Sequence, residues 1–149
     1  MFQGATQLSL DAKGRMAIPA RHRDELVKAA EGRLVLTGHP HRCLLLYPEP
    51  AWLPVREQLA KLSSIDPRTA SIKRVMMGNA LPTELDSAGR LLLAPELRDY
   101  AGFDKQVFLV GMGSHFEIWS EAGWKRQNEL ALESLQSLDL PAGLEGISL

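Results

Sequence analysis

The chain repeats one motif at a separation of 75 residues, and this repeat constrains the fold more than any other feature of the sequence. The segment Leu10–Ile18, LDAKGRMAI, returns as Leu85–Leu93, LDSAGRLLL. Strand-like runs at 35–38 and 46–47 also return, at 108–111 and 118–119. Two copies are too few to stack as a solenoid. They predict two related units of about 50 residues that pack as a pseudo-symmetric pair.

The composition favours one compact body that lacks a disulfide. Of the 149 residues, 45% are hydrophobic, and we expect the two units to share a core because units of about 50 residues are marginal alone. The formal net charge of −1 gives no global positive field, so any nucleic-acid site must be local. The single cysteine, Cys43, excludes an intrachain disulfide and suits a reducing cytoplasm. We expect neither a signal peptide nor a membrane helix.

Hydrophobic periodicity predicts an α+β fold in which each unit runs strand, turn, strand, helix, strand, loop, strand. We divide the chain into unit 1 (1–52), a helical linker (53–80), unit 2 (81–124), and a C-terminal helix and tail (125–149).

The segment between the units is predicted to hold two helices, and a further helix is predicted from Glu121. The second linker helix starts at Asp66-Pro67, an N-cap followed by proline at the first helical position. Apolar residues line one side of each helix: Trp52, Val55, Leu59 and Leu62; Ile72, Val75 and Met76; Trp124, Ala131, Leu135 and Leu138. These stripes predict either packing within the chain or contacts between subunits.

Each repeat centres on the pattern Asp-x-x-Gly-Arg, which predicts a tight turn. Asp11 and Asp86 are expected to accept hydrogen bonds from the amides ahead of them, while Gly14 and Gly89 tolerate positive φ. Arg15 opens the next strand beside the turn. Its fork of donors matches a phosphate or the O6/N7 edge of guanine. The alternative is that Arg15 pairs with an acid and holds the two halves together.

Positive residues cluster around the first turn. Lys13, Arg15, Arg21 and Arg23 lie within eleven residues that contain no acid. A local basic patch of this kind is the footprint expected of a nucleic-acid site. We assign DNA contact to Lys13 and Arg15, and phosphate support to Arg21 and Arg23. His22, between two arginines, is expected on a solvated helix face.

The second repeat is a weaker candidate for DNA contact. Ala88 occupies the position that corresponds to Lys13, and Glu96 and Asp99 lie near Arg90 in the sequence. We therefore favour a structural role for Arg90 and keep it as a lesser candidate for the nucleic-acid site.

Two other groups of residues carry weaker hypotheses. The pattern His39-x-His41-x-Cys43 offers zinc ligands, but a proline interrupts it and a fourth ligand is missing, so we predict loop histidines, a buried cysteine and no metal. Asp11 and Asp86 could meet as a catalytic pair, but an arginine four residues after each would keep it ionised. Without a nucleophile motif or a phosphate-binding loop, we predict no enzyme activity and no cofactor.

At the doubled motif the chain resembles the MraZ family of bacterial transcriptional regulators. The resemblance is carried by Phe2-x-Gly4, by Leu10–Pro19 with Arg23, and by the second copy, Leu85-Asp86-x-x-Gly89-Arg90. It extends from Phe2 to about Leu138, and the doubled motif at this separation is more specific than one Asp-x-x-Gly-Arg alone.

The resemblance implies a fold and a function. It implies two AbrB-like swapped-hairpin units that form a pseudo-dimeric β-barrel with flanking helices, assembled into a homo-oligomeric ring. It implies a repressor that binds tandem DNA boxes upstream of its own operon, in the division and cell-wall gene cluster. Carried over by position, DNA contact falls on Arg15, with Lys13 beside it. A cytoplasmic, nucleoid-associated protein is expected.

Physical reasoning agrees with an oligomer and leaves two alternatives. A ring presents the basic patch many times, and linked sites can add a factor of about 10² to 10⁴ in affinity. Successive patches on one duplex face need boxes spaced by about 10–10.5 bp. The alternatives are an AbrB-type antitoxin, which binds DNA and a protein toxin, and a ring-forming scaffold without specific DNA binding. The scaffold predicts that any DNA binding is indifferent to mutation of Arg15.

Overall fold

The computed structural model describes residues 1–136 and 141–148, which contain eight strands and five helices. In chain order these are β1 (Phe2–Ser9), β2 (Arg15–Ala17), α1 (Ala20–Ala30), β3 (Arg33–Gly38), β4 (Leu44–Pro48), α2 (Glu49–Ala60), α3 (Pro67–Met76), β5 (Leu81–Glu84), β6 (Arg90–Leu92), α4 (Pro95–Ala101), β7 (Gln106–Gly113), β8 (Phe116–Ser120) and α5 (Glu121–Ser134). The predicted order of elements in each unit is confirmed, as is the α+β class. Leu138 lies outside the described residues.

The two units exchange strands. Six strands form one sheet in the order β1-β7-β8-β4-β3-β5, with antiparallel neighbours throughout. The first strand of each unit therefore pairs with the other unit: β1 with β7, and β5 with β3. The remaining strands, β2 and β6, pair with each other as a separate two-stranded ribbon, called here the β2–β6 ribbon. This is the swapped-hairpin arrangement.

The sheet is not closed into a barrel by hydrogen bonds among the described residues. Strands β1 and β5 are its edges, and each leads through an Asp-x-x-Gly-Arg turn into one strand of the β2–β6 ribbon. A bridge between Leu10 and Met16 joins the end of β1 to β2. The ribbon is thus joined to the two edge strands by the covalent chain, and not by a continuous series of backbone hydrogen bonds.

One core is shared by both units, as the marginal size of each unit predicts. The inward residues of the ribbon and its flanks are fully buried against residues from β3, β4, β7 and β8: Met16, Ile18, Leu91 and Leu93 meet Leu34, Leu36, Leu44, Leu46, Leu109, Phe116 and Ile118. Because alternate residues of a strand face opposite sides, burial of Met16 and Leu91 turns their neighbours outward.

The helices confirm most of the predicted pattern. Asp66 caps α3 by accepting from the Thr69 amide at 3.0 Å, and Trp52 and Leu59 of α2 are buried in a second, smaller cluster. Three residues of the predicted apolar stripes differ from expectation, because Leu62, Ile72 and Leu135 are exposed. Leu62 and Leu135 lie just after the ends of α2 and α5, whereas Ile72 lies within α3.

His22 also differs from expectation, since only 6% of it is exposed. Its ring packs edge-on against Phe2 and Phe116, with ring centroids 6.0 and 4.9 Å away. It lies on the same side of α1 as buried Leu26 and Ala30, at the four-residue spacing of one helix face. The division of the chain at residues 52, 80 and 124 stays a prediction.

Candidate nucleic-acid interface

The first turn is organised by one carboxylate. The backbone amides of Lys13 and Arg15 both donate to Asp11 Oδ1 at 2.9 Å. Arg15 Nε donates to Asp11 Oδ2 at 2.6 Å. Gly14 completes the turn with φ of +81° and donates its amide to the Asp11 carbonyl. This left-handed conformation favours glycine because it has no Cβ.

The second turn repeats the geometry of the first. Asp86 Oδ1 accepts from the amides of Ala88 and Arg90 at 2.9 Å, and Asp86 Oδ2 accepts from Arg90 Nε at 2.8 Å. Gly89 has φ of +76°. The two aspartates therefore set the backbone of their own turns and the direction of the arginine that follows.

Both turn carboxylates are held in the ionised form. Hydrogen bonding from the Arg15 amide, with further contributions from the Arg15 side chain and the Lys13 amide, lowers the pKa of Asp11 to about 2. The Arg90 amide has the same leading effect and lowers the pKa of Asp86. A pair of carboxylates that shares a proton needs one raised pKa, and both pKa values here are lowered, which does not favour a catalytic pair.

Each turn arginine is anchored through Nε only. Within the described residues, no side-chain or backbone acceptor binds the terminal nitrogens of Arg15 or Arg90. Their side chains are 27% and 37% exposed. An ion pair this exposed contributes little to stability; its consequence is orientation, because fixing Nε fixes the plane of the guanidinium and leaves its outer edge for a ligand.

The β2–β6 ribbon brings the two arginines onto one face. Arg15 lies opposite Leu92, and Ala17 lies opposite Arg90. Because Met16 and Leu91 point inward, these four residues form the outward face, defined here as the ribbon's outer face. Arg15 and Arg90 occupy diagonal positions on it, which places the two residues about 7–8 Å apart with their Cβ atoms somewhat closer.

Two helix arginines pack across the repeats, one over each turn. Arg98 of α4 lies over Gly14: a Cβ on that glycine would be 2.5 Å from Arg98 Cζ. Arg23 of α1 lies over Gly89, where a Cβ would be 2.7 Å from Arg23 Nε. Arg23 Nε donates to the Ile18 carbonyl at 2.9 Å, and its NH1 donates to Ala88 O at 3.4 Å. The guanidinium predicted to bind phosphate is thus engaged by backbone carbonyls.

Arg98 was not singled out by the sequence reasoning. The same 75-residue separation that relates Asp11 to Asp86 also relates Arg23 to Arg98. This correspondence between the repeats is the sequence feature that could have identified Arg98.

The other two basic residues of the patch remain accessible. Lys13 is exposed at the tip of the first turn. Arg21 is exposed on α1; its NH2 donates to Thr6 Oγ1 at 3.1 Å, and its Nε lies 3.3 Å from His22 Nε2. The corresponding positions of unit 2 are Ala88 and Glu96, so the first turn carries an exposed lysine that the second turn lacks, and α1 carries an exposed arginine that α4 lacks.

The histidine and cysteine pattern forms a turn rather than a ligand set. His39 and His41 lie between β3 and β4, where His39 Nδ1 accepts from the His41 amide at 3.0 Å. Cys43 is fully buried, and burial raises the pKa of its thiol. Across residues 1–136 and 141–148, no three His, Cys, Asp or Glu side chains are grouped to hold a metal ion. None of the helices in that part of the chain is long and apolar enough to cross a membrane.

Comparison with known proteins matches the whole length of the chain. A family described as "MraZ protein, putative antitoxin-like" matches twice, over residues 1–75 and 76–139. The transcriptional regulator MraZ of Dechloromonas aromatica (strain RCB) is 71% identical over 143 residues, which cover 96% of each chain. Proteins of the same name from Methylobacillus flagellatus and Nitrosospira multiformis are 56% and 46% identical, over the full length of both chains. Each of the two matched segments contains one copy of the repeat.

Proposed function

We propose that this chain, which belongs to the MraZ family, is a sequence-specific DNA-binding transcriptional regulator that inserts the outer face of the β2–β6 ribbon into the major groove. One observation carries the proposal: Arg15 and Arg90 share that face, each with its Nε anchored to an aspartate and its outer edge available. The relatives are named transcriptional regulators, which supports the same conclusion.

The dimensions and chemistry of the ribbon suit the major groove. That groove admits a two-stranded β-ribbon, and arginine pairs with the O6 and N7 atoms of guanine through two parallel hydrogen bonds. Each such pair contributes about 1–3 kcal/mol of discrimination against another base. Anchoring by Asp11 and Asp86 lowers the entropy that each guanidinium loses on binding, because its plane is already fixed.

The exposed charge beside Arg15 comes from Lys13, in the same turn, and it supplies a contact with phosphate. Arg21 is exposed on α1 and adds phosphate support away from that turn, whereas Arg23 covers the second turn and its own donors are engaged. The second turn has no counterpart of Lys13. The first turn therefore dominates affinity, and Arg90 makes the smaller contribution.

Affinity from one subunit is modest, since few phosphates are neutralised. We include in the proposal a homo-oligomeric ring that engages tandem boxes upstream of the chain's own operon and represses it, in the cytoplasm at the nucleoid. Repeated patches raise the effective concentration of each further contact. The family resemblance supports the ring, the target operon and the link to division and cell-wall genes.

Probing of guanine N7 with dimethyl sulfate tests the proposal on the DNA immediately upstream of the gene. The wild-type protein is expected to protect guanine N7 atoms at regularly spaced boxes. Arg15→Ala is expected to lose the protection, while Arg56→Ala, which removes an exposed arginine from α2, keeps it. Protection that is absent, or that persists in Arg15→Ala, would favour a scaffold or a site elsewhere.

A further inference from the structure

We propose that Arg98 is a positioning residue for the DNA-contacting turn of unit 1, and that Arg23 does the same for the turn of unit 2. Each turn is thus held by an arginine of the other repeat. This inference rests on the proposed function for its effect on DNA, but the crosswise contact itself is a property of the fold.

The contact between Arg98 and the first turn is close, and two hydrogen bonds support it. Arg98 Cζ, Nε and NH1 would lie 2.5–2.8 Å from a Cβ on Gly14, so the guanidinium covers the place where a side chain would be. Arg98 Nε donates to the Leu93 carbonyl at 3.0 Å, and the Leu93 amide donates to the Gly14 carbonyl at 3.0 Å. Arg98 therefore contacts the turn directly. It also hydrogen-bonds Leu93, the residue whose amide binds the turn at the Gly14 carbonyl.

The contact between Arg23 and the second turn consists of the equivalent interactions. Arg23 covers Gly89 and donates to the Ile18 carbonyl, and the Ile18 amide donates to the Gly89 carbonyl at 3.0 Å. The equivalence is residue for residue, because Arg23 corresponds to Arg98 and Ile18 to Leu93 at the repeat separation. Two such matched contacts make an accidental approach of one flexible side chain a poor explanation.

The consequence for DNA follows from the place of Gly14 in the turn. It lies between Lys13 and Arg15, whose amides both bind Asp11. A shift of Gly14 therefore moves the backbone from which both DNA-contacting side chains project. Arginine suits this position because its planar group can cover a glycine while Nε keeps a fixed hydrogen bond; lysine has no Nε–H and no plane.

Distance along the chain would assign each helix arginine to the turn of its own unit, and the structure shows the opposite. Arg23 is eight residues from Arg15, yet it covers the turn of unit 2. Arg98 is far along the chain and covers the turn of unit 1. Since only the first turn carries a lysine, the two arginines form a matched pair whose contacts with the fold are alike and whose expected effects on DNA binding differ.

Hydrogen–deuterium exchange of the full-length protein tests the crosswise contact without DNA. Arg98→Ala is expected to speed exchange in peptides that cover residues 10–16 and to leave 85–91 unchanged. Arg23→Ala is expected to show the opposite pattern. Faster exchange within the substituted arginine's own repeat, or in neither turn, would overturn the proposal. Where an alanine variant fails to fold, Arg98→Lys and Arg23→Lys are compared in the same way.

Binding to the upstream duplex tests the positioning role. Arg98→Ala is expected to weaken specific binding about tenfold, within the 5- to 150-fold range of one arginine–guanine contact, and Arg23→Ala less than about threefold. Arg98→Lys, which keeps the charge, is expected not to restore binding. In an Arg15→Ala background the further loss from Arg98→Ala is expected to be smaller than in the wild type, because both substitutions act through one turn and only the effect through Lys13 remains.

The outcomes separate failure of the proposal from failure of the proposed function. If Arg15→Ala abolishes specific binding while Arg98→Ala and Arg23→Ala weaken it equally, or if Arg98→Lys restores it, Arg98 does not position the turn. If exchange changes crosswise but neither Arg15→Ala nor Arg98→Ala alters DNA binding, the contact is real, its role in binding DNA is refuted, and the proposed function fails with it.

Discussion

The guanidinium of Arg98 lies over Gly14, 84 residues earlier in the chain, and occupies the space that a Cβ would need, with Cζ at 2.5 Å from that position. The contact joins the helix of one repeat to the turn of the other. Because the same relation holds for Arg23 and Gly89, the cover of both turns depends on the pairing of the units. Loss of the shared core would therefore remove the arginine that covers each turn.

Replacement of Gly14 by alanine is expected to lower the free energy of unfolding by more than the positive φ alone explains. Gly32 provides the matched control: its φ is +80°, against +81° for Gly14, but nothing lies within 4 Å of its would-be Cβ. Gly32→Ala is expected to cost about 1–2 kcal/mol. Gly14→Ala is expected to cost about 1 kcal/mol more, from loss of the Arg98–Leu93 hydrogen bond. Urea unfolding measures both; equal costs would mean that Arg98 moves aside freely.

An acid on the ribbon's outer face is expected to weaken DNA binding without affecting the fold. Leu92 is 54% exposed and lies opposite Arg15. Leu92→Glu places a carboxylate beside that guanidinium, where it competes with DNA and repels phosphate. Leu81→Glu is the control, since Leu81 is 43% exposed on edge strand β5. Equal losses of affinity for the upstream duplex in the two variants would contradict a binding face on the ribbon.

The contribution of Asp11 to stability is expected to depend on pH between about 4 and 2. Its pKa falls from 3.8 to about 2, mainly because the Arg15 amide hydrogen-bonds the carboxylate. A lowered pKa in the folded state means that the stabilisation is complete above pH 4 and disappears as pH falls through about 2. The difference in urea midpoint between the wild type and Asp11→Asn should shrink over that range. A constant difference would contradict this account of the turn.

His22 is expected to make the fold less stable as pH falls below about 6.5. Burial, followed by the Arg21 charge, lowers its pKa below 6.5, and Glu25 opposes the shift. The unfolded chain therefore takes up a proton first, so stabilisation by neutral His22 is complete above the unfolded pKa and decreases below it. His39 and His115 also have lowered pKa values. The difference in urea midpoint between the wild type and His22→Phe isolates His22; it should fall from pH 7.5 to pH 5, and no change would contradict the burial effect.

Local patterns predicted the elements of this fold, because the forces that set them act over a few residues. The Asp66-Pro67 start of α3 and both Asp-x-x-Gly-Arg turns depend on hydrogen bonds between neighbours. The exchange of β1 and β5 between units did not follow from the residues themselves. It came from the family resemblance, since an antiparallel partner for β1 could have been found within its own unit.

The candidate site was predictable in part for the same reason. Alternation in Arg15-Met16-Ala17 and Arg90-Leu91-Leu92 places each arginine on the outward side of its strand. Their meeting on one face depends on pairing between β2 and β6, which is long-range. The cover of Gly14 by Arg98 is long-range too. The burial of His22 had a local signal, because Leu26 and Ala30 follow it at four-residue spacing.

Fluorescence anisotropy with the duplex immediately upstream of the gene tests the central claim most directly. The wild type, Arg15→Ala, Arg90→Ala and the charge control Arg56→Ala are titrated against that duplex and a scrambled one at two salt concentrations. We expect salt-dependent preference for the upstream duplex that Arg15→Ala loses, Arg90→Ala weakens to a smaller extent and Arg56→Ala retains, with the same assembly size by light scattering. Equal binding of both duplexes by all four proteins would contradict a DNA-reading ribbon.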